Sequence, residues 1–471
     1  MIQFILNNKT IKTESPNGLT VLDFVRYNQH LKGTKIGCRE GDCGACTVLV
    51  GEIIKGQLRY RSATSCLMAM GNANGKHIVT IEGVNLNSLN PIQQAMAEEG
   101  ATQCGFCTPG FVMSLAGYCL SHKEASPLNA IACMDGNICR CTGYKSIERA
   151  ALKVNELLLE RNNEEPAQFV VSQKILPHYF TTIKERLLTL NLENNPQPID
   201  KTLDQPFTFI SGGTDLYVQK HDSMPHAKLN LLFDKMELNG IYKEGNNCFV
   251  GAAATVTDLC ESPIIQKYFP YFNKYAKLIS STPIRNMATL AGNFVNASPI
   301  GDFTILFLAL DAQLILSDGV SKRELPLRKF YSGYKTFDKT SEEFIQQFYF
   351  KLPDSNTKFN FEKVSKRTHL DIASVNTAIK LNMDESKISQ ASISAGGVFA
   401  YPKYLEKTSA FLSGKNIDKA HLIKALEIAQ TEIAPISDAR GSEEYKRLLL
   451  SQLIKAHFVT LFPGLKPEII I

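Results

Sequence analysis

The sequence predicts a multidomain α+β chain whose first third is built around cysteine loops. Three observations carry that expectation. At 471 residues the chain has room for about three domains of ordinary size. Its patterning changes along the way, from alternating strands to helical stripes, then to strands and helices mixed around glycine-rich turns. Ten of the twelve cysteines lie before residue 142, and only Cys248 and Cys260 come later. A disulfide framework or incidental buried thiols would not give that split, whereas a cysteine-dependent function in the first third would.

The opening reads as a β-hairpin, "IQFILNN" and "TIKTE" alternating around an Asn-Asn-Lys turn. "TVLDFVRYNQHL" has helical spacing with Thr20 as its cap. A glycine-rich cysteine loop and the strand-like "CTVLVGEI" and "HIVTIEGV" complete a small β-grasp domain over 1–85. From Asn90-Pro91, a cap and first-turn pair, the texture becomes helical. Thr108-Pro109 and Ser126-Pro127 start two further helices. "SIERAALKVNELLLERN" supplies a fourth, with Ile147, Ala150, Ala151, Val154, Leu157 and Leu158 on one stripe. This predicts a four-helix bundle over 86–160, with cysteine pairs at helix ends. The polar "RNNEEPAQ" and "NLENNPQPIDKTLDQP" suggest a linker over 161–200. Alternating strands and helices follow over 201–355. A final α+β domain over 356–471 has three strand-like stretches and two long amphipathic helices.

The net charge of +5 is small for this length and its charges are interspersed, so neither nucleic acid nor a membrane surface is an expected partner. The longest apolar run, Phe303 to Leu316, is too short to span a bilayer and contains Asp311. The N-terminus lacks the layout of a secretory signal. The expectation is a cytoplasmic, reducing location, where cysteines seldom pair as disulfides.

Cys38, Cys43 and Cys46 form C-x4-C-x2-C in "GCREGDCGACTVLV", with Cys66 as a fourth after nineteen intervening residues. That is the plant-type ferredoxin ligand pattern for a [2Fe–2S] cluster, and zinc ribbons prefer paired C-x2-C knuckles instead. Gly37, Gly41 and Gly44 suit a loop that turns backbone N–H groups onto sulfur. A second set, Cys104 and Cys107 in "QCGFCTPG" with Cys139 and Cys141 in "NICRCTGY", precedes two helices. Alone it is ambiguous between zinc and iron–sulfur; beside the first set, a second [2Fe–2S] cluster is favoured. Cys119, Cys133, Cys248 and Cys260 read as buried small hydrophobes.

"FTFISGGTDLYVQ" is a strand, a Gly-Gly turn and a helix, and such a turn lets backbone N–H groups and a Thr hydroxyl approach a pyrophosphate. It also reads as an ordinary turn, and it is not a Rossmann G-x-G-x-x-G. "TPIRNMATLAGNFVNASPIGD" is a second segment of the kind, and together they point to a dinucleotide site. "FEKVSKRTHLD" spaces Lys363, Arg367 and Asp371 four apart, a pattern that a solvated face would also give.

These motifs carry a resemblance. "GCREGDCGACTV", "QCGFCTPG" and "GNICRCTGY" look like the two [2Fe–2S] domains of the xanthine oxidase family of molybdenum hydroxylases. "SGGTDL" and "TLAGNFVNASPIGD" resemble its FAD-binding domain, and "FEKVSKRTHLDIASVN" with "SAGGV" resembles its flavoprotein C-terminal domain. The order of parts is similar to the small subunit of two-component bacterial xanthine dehydrogenases, with the chain expected to stop where a linker to a molybdenum domain would begin. Relatives such as carbon monoxide dehydrogenase generally divide the iron–sulfur and flavin parts between chains.

The resemblance implies FAD contacts by Phe209, Ile210, Ser211, Gly212, Gly213, Thr214, Asp215 and Leu216. It implies further contacts by Ile279, Thr289, Leu290, Ala291, Gly292, Asn293, Asp302, Ile345 and Lys363, with the 364–370 loop flanking the flavin ring. Asp215 stands where some members have Glu, one methylene longer. Also implied are a large partner subunit holding the molybdenum cofactor, in a heterotetramer of two small and two large chains, and NAD+ as acceptor. Electrons would enter at the 104/107/139/141 set, pass to the 38/43/46/66 set and end on FAD, with no residue of this chain acting as acid, base or nucleophile on the substrate. Gln103 either approaches the molybdenum site across the interface or is a surface glutamine.

Overall fold

The computed structural model describes residues 1–193 and 207–465. They form two compact units, one holding Met1–Lys235 with Ser281–Ala288, the other Met236–Ser280 with the chain from Thr289 onward. The stretch 201–355, expected as one flavin-binding domain, therefore contributes to both. Among the described residues no helix is long and apolar enough to cross a membrane. The apolar run from Phe303 is instead a buried helix, Asp302–Ala309, then a turn at Asp311 and strand Gln313–Ser317.

The first unit opens with a five-stranded sheet in the order Lys9–Thr13, Ile2–Leu6, His77–Val79, Thr47–Ile54, Gln57–Thr64. Ile2–Leu6 pairs antiparallel with its hairpin partner but parallel with His77–Val79, the crossed arrangement of a β-grasp. Thr20 caps the Val21–Asp23 helix through the Asp23 N–H at 3.1 Å. Helices Pro91–Glu98, Thr108–Cys119, Pro127–Ala132 and Lys145–Leu158 make the four-helix bundle. Asn90 and Gln93 close a reciprocal capping box on the first of them. The Lys145–Leu158 stripe buries Ile147, Ala150, Ala151, Val154 and Leu158; Leu157 lies outward, because its neighbour takes the core position.

The 161–200 linker expectation fails over much of its length. Helix Pro166–Ser172 begins with Glu165 as cap, a 3-10 turn spans His178–Thr182, and helix Ile183–Glu193 follows. Phe169, Val170, Ile175, Leu176, Phe180, Ile183 and Leu187 are buried in the same core as the bundle. Each such side chain stabilises by about 1.5–3 kcal/mol, enough to hold this segment onto the domains before it. Residues 161–165 are irregular as expected, and 194–200 lie outside the described residues.

The second unit has an antiparallel sheet ordered Lys322–Pro326, Gln313–Ser317, Phe344–Lys351, Asn247–Gly251, Ile241–Glu244. A second antiparallel sheet, Thr357–Val364, Val375–Asp384, Lys387–Gly396, Lys403–Tyr404, buries an apolar face with helices Lys419–Thr431 and Glu443–Leu461.

Among the described residues, each unit encloses one fully buried, neutral histidine. His77 accepts the Tyr60 hydroxyl at Nδ1 (2.8 Å) and donates from Nε2 to the Asn7 carbonyl (2.8 Å). His457 lies between Asn360 (3.0 Å) and Thr377 (2.8 Å). Burial pushes both imidazoles from 6.5 down to about 3. Above about pH 6.5 neither state of the chain protonates these rings; as pH falls further the unfolded chain takes up protons that the folded chain refuses, so stability falls. We expect the urea midpoint to drop between about pH 6.5 and about pH 4, and the drop to be shallower in His77→Gln and His457→Gln.

Candidate functional site

In the first cysteine loop the chain doubles back on itself three times. Arg39, Gly41 and Gly44 all have positive φ (+57°, +81° and +67°). The Glu40 N–H reaches the Cys38 sulfur at 3.3 Å, the Cys38 N–H reaches the Cys43 sulfur at 3.4 Å, and the Gly41 N–H faces Cys66. Gly37 is equally constrained, since a Cβ there would sit 2.6 Å from the Cys43 sulfur.

The four thiols associate as two pairs, Cys38 with Cys43 and Cys46 with Cys66. The hydrogen bond from Cys43 pulls the Cys38 thiol down to about 5, and the bond with Cys66 likewise lowers Cys46 against its burial. The partners Cys43 and Cys66 are raised correspondingly.

The second set is also paired. The Cys141 and Cys104 sulfurs are 3.6 Å apart, and Cys107 bonds to Cys139. The Phe106 N–H and Cys141 lower the Cys104 thiol. Burial and Cys139 push Cys107 up to about 12. Against burial, the Thr142 hydroxyl (3.2 Å) and N–H (3.5 Å) hold Cys139 down, and the Tyr144 hydroxyl accepts the Cys139 N–H at 3.2 Å. Cys104 and Cys141 are exposed, as is Gln103, whereas Cys139 is buried. Two pairs of thiols match the ligand demand of a diiron cluster, in which each iron takes two cysteines. Among the described residues no three His, Cys, Asp or Glu side chains are grouped to hold a single metal ion.

Burial pushes Cys119 and Cys248 up to about 12, as expected for core thiols, whereas Cys133 and Cys260 are only partly buried.

The two loops touch through groups that the motif spacing does not reveal. The Ile138 N–H donates to the Cys43 carbonyl at 3.0 Å, and Asn137 Nδ2 donates to the Gly44 carbonyl at 3.1 Å. Ser114 Oγ donates to Asn137 Oδ1 at 2.7 Å and fixes the amide. A Cβ on Gly44 would lie 2.3 Å from the Gly136 carbonyl, and one on Gly110 2.3 Å from that of Gly44. Segment Ser281–Ala288 abuts both loops. Asp135 accepts from the Thr282 N–H (2.7 Å) and pairs with Arg285 (2.6 Å), and a Cβ on Gly41 would meet Ile284 at 2.6 Å. Sequence reasoning assigned this segment to the flavin motif alone.

The expected flavin residues fall in both units. In the first unit, strand Thr208–Ile210 runs parallel to Leu229–Leu231 and leads into helix Thr214–Lys220. Gly213 at the turn has φ +75°, and a Cβ on Gly212 would stand 1.9 Å from the Met287 carbonyl. The Asn72 amide holds the Ser211 carbonyl (2.9 Å), and the Tyr217 hydroxyl anchors the helix to Gly18 (2.8 Å). Ser211 Oγ is buried with no hydrogen-bond partner among the described residues. A glycine turn with an unsatisfied hydroxyl suits a pyrophosphate. Asp215 is exposed, whereas Ile210 is buried in the core and offers a ligand only backbone.

In the second unit, Thr289 caps helix Leu290–Asn296 through the Gly292 N–H at 3.3 Å. Asn293 Oδ1 accepts from the Thr304 N–H (3.1 Å) and hydroxyl (2.9 Å), which sets the start of the next helix. Leu290 and Ile345 are core side chains, and Ile279 and Ala291 are nearly so. The Lys363 ammonium, 2% exposed, spends its three donors on Leu278 O, Asp302 Oδ2 and Asp371 O, each at 2.8 Å. Asn376 donates to the other Asp302 oxygen. Burial raises the Asp302 carboxyl, with Lys363 and Asn376 opposing. Lys363 thus orients Asp302 and pins the end of the 364–370 loop, and no donor remains for a ligand. Removing one partner of such a pair strands the other, so Lys363→Met should cost about 3–5 kcal/mol in urea unfolding, with much of the loss recovered in Asp302→Asn/Lys363→Met.

The comparisons with known proteins agree with this layout. Four family models match: a 2Fe-2S iron-sulfur cluster binding domain over 4–70, a [2Fe-2S] binding domain over 80–152, an FAD binding domain in molybdopterin dehydrogenase over 197–353, and a CO dehydrogenase flavoprotein C-terminal domain over 361–461. Xanthine dehydrogenase of Emericella nidulans is 28% identical across 88% of this chain, and xanthine dehydrogenase 1 of Arabidopsis thaliana is 28% identical across 93%. The chain spans only 35% and 38% of those two proteins. Among solved structures, carbon monoxide dehydrogenase of Hydrogenophaga pseudoflava superposes with a TM-score of 0.52 at 25% identity, over 55% of this chain and 91% of that one. That of Oligotropha carboxidovorans gives 0.50 at 28% identity, over 52% and 86%. The chain carries two [2Fe–2S]-binding domains and an FAD-binding domain, and in their kind and order it is similar to the xanthine oxidase family.

Proposed function

We propose that this chain is the electron-transfer subunit of a bacterial, purine-oxidising xanthine dehydrogenase. Cys38, Cys43, Cys46 and Cys66 hold one cluster, and Cys104, Cys107, Cys139 and Cys141 hold the other. The observation that carries the reading is the two-plus-two association of thiols in both sets, joined by the Ile138 N–H to Cys43 carbonyl bond. When bound, the clusters supply one-electron carriage and FAD supplies exchange between single electrons and a hydride.

The chain's own residues do the rest. N–H groups of Glu40, Gly41 and Thr142 stabilise thiolate charge, and the glycine contacts between loops hold the two sets close. The exposed pair Cys104 and Cys141 marks the face for electron entry from a large molybdenum-cofactor subunit, in a heterotetramer of two small and two large chains. Ser211 and the Gly212–Gly213 turn bind the FAD pyrophosphate. Thr289–Asn293, Ile279, Ile345 and Asp302 are further FAD contacts in this reading, in part through backbone, with Lys363 fixing Asp302. NAD+ is the terminal acceptor, and the setting is cytoplasmic. Homologues named as xanthine dehydrogenases favour purines over aldehydes or other heterocycles as the partner chain's substrate, although one relative is aldehyde oxidase 2 of Macaca fascicularis, 25% identical over 96% of this chain.

Purified from its native complex, the chain should contain about four irons and one FAD, with a large molybdenum-containing chain alongside. That complex should reduce NAD+ with hypoxanthine and far more slowly with aldehydes. A colourless chain with zinc and no iron would exclude the redox reading, and preference for aldehydes would move the substrate.

A further inference from the structure

Asp135 stands in the turn that leads from helix Pro127–Ala132 into the second cysteine loop. Its carboxylate is spent on residues 147 and 150 positions further along the chain. One oxygen accepts the Thr282 N–H at 2.7 Å. The other accepts the Thr282 hydroxyl at 3.0 Å and Arg285 Nη2 at 2.6 Å. Arg285 Nη2 also donates to the Thr282 hydroxyl at 2.8 Å, so the three side chains close on one another. Asp135 thereby holds both ends of the single helical turn Thr282–Arg285.

That turn is held along its length and carries its far end to the flavin motif. Pro283 packs on Gly136, where a Cβ would stand 2.8 Å from its ring, and Ile284 packs on Gly41. The Ile284 carbonyl accepts the N–H groups of Met287 (2.9 Å) and Ala288 (2.7 Å). Between Arg285 and Met287 lies Asn286, whose Nδ2 donates to the Ser62 carbonyl at 2.8 Å. The Met287 carbonyl then comes so near Gly212 that a Cβ there would be 1.9 Å away. All of these residues belong to the first unit. The Asp135 side chain is 28% exposed, and an ion pair open to solvent adds little to overall stability. What three bonds on one carboxylate do fix is a position.

Resting on the flavin assignment above, we propose that Asp135 is a positioning residue for FAD: from the second cysteine loop it sets where the Met287 carbonyl stands, and that carbonyl sets the Gly-Gly turn. Without the clasp the Thr282–Arg285 turn can shift, and Met287 shifts with it. Gly212 has no side chain to resist the movement. The N–H groups of the turn and the Ser211 hydroxyl then lose their common aim at the pyrophosphate. The loop of the second cysteine set and the turn that takes the flavin are thus mounted on one carboxylate.

The test is FAD binding by the native complex after removal of its flavin, read as quenching of FAD fluorescence. Electron paramagnetic resonance of both clusters checks that the loops are intact. Asp135→Ala should weaken FAD binding about fivefold to tenfold while both cluster signals remain. Asp135→Asn keeps an acceptor for the Thr282 N–H but loses the charge facing Arg285. It should lie between, and it answers the question if the alanine variant loads poorly. Arg285→Met should also weaken binding, and Asp135→Ala/Arg285→Met by no more than the larger single loss. Ser211→Ala leaves the clasp untouched and reports on the flavin assignment itself. Full FAD affinity in Asp135→Ala beside weakened affinity in Ser211→Ala would overturn the proposal and leave the assignment standing. Full affinity in both would remove the assignment and the proposal together.

Discussion

The structure depends on the contact between two loops that are distant in sequence. The Ile138 N–H and Asn137 amide reach the carbonyls of Cys43 and Gly44, and the fit requires glycine at positions 44 and 110. One methyl at position 44 would meet both Gly136 and Asn137, a clash that relaxes only by separating the loops. Because Cys43 and Cys139 each neighbour this contact in the chain, both thiol sets take their relative position from the same few hydrogen bonds. Asn137 is buried and fully used, since its amide donates to one loop while its oxygen accepts from Ser114 on the bundle. A buried amide satisfied on both sides resists displacement, because any shift would strand a polar group.

The chain reinforces this contact with a segment borrowed from the middle of the sequence. Ser281–Ala288 packs with the first unit, although residues on either side belong to the second. Asp135 accepts the Thr282 N–H and pairs with Arg285, Pro283 lies against Gly136, and Ile284 lies against Gly41. Met287 meanwhile presents its carbonyl to Gly212 in the flavin turn. One short segment therefore touches both cysteine loops and the Gly-Gly turn.

What could be read from sequence follows from how local each constraint is. Cysteine spacing is dictated by the ligands' own chemistry, and the structure brings each set's thiols together. The Asn90-Pro91 and Ser126-Pro127 helix starts are short-range signals, and the helices begin there. The helices after residue 165 were hidden because their polar entry, "RNNEEPAQ", outweighed the widely spaced apolar residues behind it. Those residues declare themselves only against a partner surface, as Phe180 does against Tyr60 and His77. The Arg39–His221 tie joins residues 182 apart, with nothing in either neighbourhood to announce it. Resemblance places Ile210, Leu290 and Ile345 along the chain but says nothing of which way a side chain turns, and all three turn into the core.

The central claim is that electrons reach the flavin by way of the second cysteine set. Single-turnover absorbance of the native complex tests it most directly, comparing the unmodified protein with Cys107→Ser, which leaves the Gly-Gly turn and the first set intact. The account predicts that NADH still bleaches the flavin in Cys107→Ser while hypoxanthine no longer does. Bleaching by hypoxanthine at the unmodified rate would contradict it.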